Sequence, residues 1–144
     1  MKFSNGCWLQ AEGIECFSPK EAYFVTIEDK IVTICAPTNK INSRGDVLGG
    51  INLTLKITSP APEVLRMQTF HHLGALKKGP EFELEQKENV VLDVKEEDNL
   101  LIIKSGGTLA LQINKETWSM AYKRGTEILT TSADKDLACM KTVE

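Results

Sequence analysis

Apolar and polar residues alternate along most of this chain. Ile51, Leu53, Leu55 and Ile57 are separated by Asn52, Thr54 and Lys56, with Thr58 following. This period of two belongs to a strand with one buried face. Tyr23, Val25 and Ile27 alternate with Phe24, Thr26 and Glu28. Glu28-Asp29-Lys30 then turns the chain into a strand from Ile31 to Ala36, which Pro37-Thr38-Asn39-Lys40 ends. Leu109, Leu111 and Ile113 alternate with Ala110, Gln112 and Asn114, and Lys115-Glu116-Thr117 forms a short polar connection. Beyond it Trp118, Met120 and Tyr122 alternate with Ser119, Ala121 and Lys123, and Arg124-Gly125 turns into a return strand over 126–130.

Further strands are expected over 64–71, 90–94 and 100–104, the last two joined through the acidic Glu96-Glu97-Asp98. Ser59-Pro60-Ala61-Pro62 reads as a breaker, because proline fixes φ and removes a donor. Residues 133–144 carry no strong strand pattern. No window shows an apolar stripe at helical spacing together with caps. Ten or more short strands between turn signals predict an all-β fold, a β-sandwich of two antiparallel sheets.

The chain has 144 residues, enough for a single domain spanning 1–144 with a sizeable core. Its net charge of −3 leaves no broad basic surface, which argues against a nucleic-acid partner. No apolar run approaches the roughly 20 residues of a membrane helix, and the first residues lack a secretory signal. Cys7, Cys16, Cys35 and Cys139 are widely spaced, with no C-x-x-C pair. They are expected to be reduced, and Cys7, Cys16 and Cys35 to be small buried side chains on strands. These observations point to a cytoplasmic protein.

Candidate chemistry is sparse. His71 and His72 are adjacent, so on a regular strand they point to opposite faces and cannot share one metal. No metal site and no cofactor is expected, and the pair is read as packing or rim residues. Trp118, Met120 and Tyr122 could stack a sugar ring, but aromatic residues on an alternating strand belong more often to a core, with their polar tips bonded at its edge. Trp8 is read the same way. Glu81, Glu83 and Glu85 share a strand face and are read as solvated. The segment over 41–50 is the most functional-looking loop. It joins two strands, carries three glycines, and gathers Asn42, Ser43, Arg44 and Asp46.

Three segments resemble the N-terminal domain of glycoside hydrolase family 31, the family of α-glucosidases and α-xylosidases. They are Met1-Lys2-Phe3-Ser4-Asn5-Gly6-Cys7-Trp8-Leu9, then His71-His72-Leu73-Gly74-Ala75-Leu76-Lys77-Lys78-Gly79-Pro80, then Lys104-Ser105-Gly106 with the following strands and Trp118-Ser119. His72 stands where related members tend to carry an aromatic ring.

The resemblance implies a galactose-mutarotase-like β-sandwich that precedes a (β/α)8 barrel. In that family the barrel carries the two catalytic carboxylates of a retaining glycosidase, about 5–5.5 Å apart. A barrel of about 250 residues does not fit here, so no catalytic residue is expected in this chain. By the same resemblance the partners are the protein's own barrel and an α-glucoside or α-xyloside carbohydrate. Asn42, Ser43, Arg44 and Asp46 are the candidate substrate-binding residues, on a loop beside the barrel mouth. Self-association through a bare barrel-facing surface is a further expectation. The rival readings are an independent carbohydrate-binding module and a sandwich used for protein interaction.

Overall fold

The computed structural model describes residues 11–72, 89–133 and 135–142. Among them lie eleven strands and one turn of 3-10 helix. The strands are β1 (Ile14–Phe17), β2 (Phe24–Glu28), β3 (Ile31–Pro37), β4 (Asn52–Ala61), β5 (Val64–Phe70), β6 (Leu92–Glu97), β7 (Leu100–Ser105), β8 (Leu109–Asn114), β9 (Ser119–Arg124), β10 (Glu127–Ser132) and β11 (Cys139–Thr142). The helical turn is Arg44–Val47.

All pairings are antiparallel. One sheet runs β2-β3-β4-β5, the second β10-β9-β8-β7-β6, and β1 with β11 makes a two-stranded ribbon. The first two are meanders, in which each strand turns back beside its predecessor. The all-β sandwich expected from the alternation is the observed fold.

The core is what the alternation dictates. Val32, Ile34 and Ala36 of β3 and Leu53, Leu55 and Ile57 of β4 are buried, and they meet Leu101 and Ile103 of β7 and Leu111 and Ile113 of β8. Each fully buried Leu or Ile stabilises the fold by about 1.5–3 kcal/mol relative to leaving it in water. The intervening residues, such as Thr33, Thr54, Lys56 and Gln112, stay half-exposed on the outer faces.

Main-chain hydrogen bonds also cross between the sheets at their edges. Ala22 N donates to Lys115 O at 2.7 Å, Leu92 N to Asp29 O at 2.8 Å, and Val90 N to Ser59 O at 2.8 Å.

Four expectations change in detail. Ser59-Pro60-Ala61 does not break β4. The strand continues to Ala61 with a register shift between Thr58 and Ala61, where three steps along β4 oppose two along β5. A bulge leaves one residue unpaired, so the donor that Pro60 lacks is not needed. The tail forms β11, because its register with Ile14–Phe17 supplies what its own pattern lacks.

Trp118 lies in the turn before β9 with φ of 46°, not in the strand, and is nevertheless only 1% exposed. Its indole N–H donates to Asp136 Oδ1 at 2.8 Å, the edge partner expected of a core tryptophan. Asp136 Oδ2 accepts from Ser132 Oγ at 2.5 Å, so the same carboxylate ties the tail to β10.

The cysteines also depart from expectation. Cys16 is exposed, and Cys35 is half-buried on an outer sheet face beside Asn52. Cys35 points away from the buried face of β3, a choice fixed by strand register and not by residue type, and β1, which carries Cys16, buries none of its residues. Cys7 and Trp8 lie outside the described residues, as do Glu81, Glu83 and Glu85, the opening family segment and all but two residues of the middle one.

Candidate functional site

The loop between β3 and β4 is closed at its base by Thr38, whose amide and hydroxyl both donate to Ile51 O at 3.0 Å. Inside it, Asp46 organises the chain. Its Oδ2 accepts from the Ser43 amide at 2.7 Å, the Asn42 amide at 3.0 Å and the Ser43 hydroxyl at 3.1 Å. These donors, the Ser43 amide foremost, hold the Asp46 carboxyl below its ordinary value of 3.8.

One contact ties the loop to its surroundings and one braces it from within. Ile41 N donates to Glu21 Oε1 at 2.8 Å, and Asn39 Nδ2 donates to Asp46 O at 2.7 Å. A side chain at Gly50 would collide with Asn39, so glycine is required there by close approach.

Asn42, Ser43 and Arg44 line a concavity of about 370 Å³ together with Tyr23, Ile41 and Val47. Asp46 does not line it, since its carboxylate is turned back into the loop. The Arg44 guanidinium has no hydrogen-bond or ion-pair partner among the described residues. Of the four residues singled out by sequence, three therefore face the concavity and one holds it in shape.

Tyr23, at the entry to β2, was missed. Its signal was a position in the alternating run just before a strand start, where register leaves the residue 53% exposed. Next to lining residues in sequence, Phe24 is 63% and Leu48 82% exposed, large apolar side chains left open to solvent.

A second cluster, also unforeseen, sits where β4 and β7 end. Ser59 and Ser105 are fully buried and bonded Oγ to Oγ at 2.7 Å across the gap between the sheets. Ser59 Oγ also donates to Ala61 O at 2.8 Å. Ser105 Oγ lies 3.1 Å from the Val64 amide and 3.0 Å from Val64 O, and the Glu63 amide donates to Ser105 O at 3.0 Å.

Beside them Glu63, in the left-handed region at φ of 60°, reaches over the β7–β8 turn. Its Oε1 accepts from the Thr108 amide, and from Leu109 N at 3.4 Å. The Thr108 amide, with help from Leu109 N, the Thr108 hydroxyl and the Arg124 charge, keeps the Glu63 carboxyl below its ordinary 4.5 despite an opposing effect of burial. A side chain at Gly107 would collide with the Glu63 carboxylate. The Ser105-Gly106-Gly107 run thus has a physical reason, a buried hydroxyl, then a glycine at φ of 56°, then a glycine that leaves room for a carboxylate.

Other candidates are dispersed. His71 and His72 are both exposed just past β5, on the rim and not in packing. Among the described residues no group of His, Cys, Asp and Glu gathers that could hold a metal ion. No described helix is long and apolar enough to cross a membrane.

Comparison with known proteins gives the family. Residues 54–144 match the glycosyl hydrolase 31 N-terminal galactose mutarotase-like domain. The alpha-xylosidase XylQ of Lactiplantibacillus pentosus is 31% identical over 139 residues, 96% of this chain and 18% of that protein. An alpha-xylosidase of Emericella nidulans is 27% identical over 135 residues, 93% of this chain and 16% of that protein. The chain spans less than a fifth of the length of either relative.

Proposed function

The chain belongs to the family of glycosyl hydrolase 31 N-terminal galactose mutarotase-like domains, and from that premise we propose that it is the non-catalytic N-terminal domain of an α-xylosidase. In this reading it packs on a (β/α)8 barrel and lends the loop over 38–51 to the substrate entrance. The barrel supplies the two carboxylates that cleave the glycosidic bond, by formation and hydrolysis of a glycosyl-enzyme intermediate. This chain supplies shape and contacts.

The observation that carries the proposal is the division of labour in the loop. Asp46 is committed to holding it, while Arg44 and the Asn42 side chain are presented to the concavity without partners among the described residues. A connection with no further role needs no such presented groups. The exposed side chains of Phe24 and Leu48 suit contact with a second domain. Two α-xylosidase relatives favour an α-xyloside over an α-glucoside as the substrate class. Cys16, Cys35 and Cys139 are unpaired, which suits a reducing compartment such as the cytoplasm.

The test is made on this chain joined to its barrel, with an aryl α-xyloside as substrate. Arg44→Ala is expected to raise KM about five-fold with little change in kcat, the pattern of a lost binding contact far from the bond broken. An unchanged KM would remove the loop from the substrate entrance.

A further inference from the structure

We infer that Tyr23 makes the loop concavity a subsite for a neutral pyranoside, with its ring as the platform and Arg44 and Asn42 as the groups that bind hydroxyls. The inference deepens the reading of the loop as a substrate-facing element and rests on it. It adds a residue from outside the loop and a binding property belonging to this domain alone.

The concavity joins two kinds of surface. Tyr23, Ile41 and Val47 give it apolar walls, and Tyr23 is an exposed residue, 53% accessible as a whole. The Tyr23 main chain is fixed, its amide donating to Cys35 O at 3.0 Å, so the ring is carried on a rigid element. The rest of the lining is polar. A guanidinium offers five N–H donors, and the Asn42 amide offers both donors and an acceptor.

A pyranose ring presents an apolar C–H face and a rim of hydroxyls that donate and accept, which matches this division. Ligand sites in general combine apolar walls with a few placed polar groups. A cationic ligand finds no carboxylate among the lining residues, since Asp46 is turned to its own loop and Glu21 to the Ile41 amide. An anion finds one cation and an apolar wall, a poor match for a group that needs several donors.

The inference is tested on the 144-residue chain by NMR titration with methyl α-D-xylopyranoside and, separately, with inorganic phosphate. Saturable shifts at the Tyr23 ring and the Arg44 side chain are expected with the xyloside. Tyr23→Ala should weaken binding about ten-fold and Tyr23→Phe hardly at all, because stacking uses the ring and not its hydroxyl. Arg44→Ala should weaken it about five-fold. Since Tyr23 and Arg44 are exposed, these variants should keep the dispersed methyl spectrum of the core.

Absence of saturable shifts, or equal affinity in Tyr23→Ala, would overturn the inference. So would an Arg44 response to phosphate as strong as that to the xyloside, which would make the site a plain anion contact. Each of these results leaves the KM test of the barrel-bearing protein standing. Binding by this chain with an unchanged KM there would instead sustain the subsite and remove it from the entrance.

Discussion

Two carboxylates, Asp46 and Glu63, do the same job in opposite directions. Asp46 is half-exposed and Glu63 exposed, each accepts from main-chain amides, and each is more acidic than an ordinary side chain of its type. Asp46 turns inward on its own loop, binding residues three and four positions before it. Glu63 reaches 45 residues along the chain to Thr108, from the turn of one sheet to the turn of the other. Beneath Glu63 lies the buried Ser59–Ser105 pair, whereas beneath Asp46 lies an open concavity. One end of the sandwich is thus sealed by contacts between sheets, and the β3–β4 loop is rigid by itself with a face left for something else. Local closure keeps a surface free, while closure across the sheets uses the surface up.

The strongest way to break this contrast is Ser105→Ala. It removes the acceptor of the Val64 amide and the Oγ–Oγ bond to Ser59, and is expected to cost about 1–3 kcal/mol in denaturant unfolding. A loss within experimental error would show that the junction is not a stabilising seal.

Next comes the acid limb of stability. Both carboxyls have folded pKa values below the ordinary 4.5 and 3.8, so their stabilisation is complete above those values and is lost as pH falls through the folded ones. Glu63→Gln and Asp46→Asn should each make unfolding less steeply dependent on pH below about 4.5. An unchanged slope in both would mean that the amide contacts do not persist in solution.

The smallest effect sharpens the comparison most. In hydrogen exchange, Asp46→Asn should speed the Asn42 and Ser43 amides and leave Thr108 as it was. Glu63→Gln should do the reverse. Acceleration of all three amides by either variant would show one cooperative unit where two are described.

Much of this was legible because alternation is a local signal. The run Leu53-Leu55-Ile57 announced its buried face directly, whereas 100–103 is apolar at every position and shows a strand without showing its buried side. Extending the first run by one more step of two lands on Ser59, so that serine was within reach of the same rule. It was passed over because serine is not apolar and the prolines after Ser59 looked like a break. The pairing of β1 with β11 was not legible, since it joins segments more than a hundred residues apart and neither has a pattern of its own. At the candidate site, residue types pointed to the loop, but not to which of its groups are occupied. That depends on where Asp46 turns, and Tyr23 enters only through strand register.

The double grip of Thr38 on Ile51 has a consequence for how such a domain changes over generations. A loop tied at its base and folded upon itself can be rewritten between those ties without disturbing either strand. Residues 40–49 are therefore the place where descendants of this scaffold can acquire new preferences cheaply, and where a designer could transplant a foreign recognition segment with the sandwich left intact.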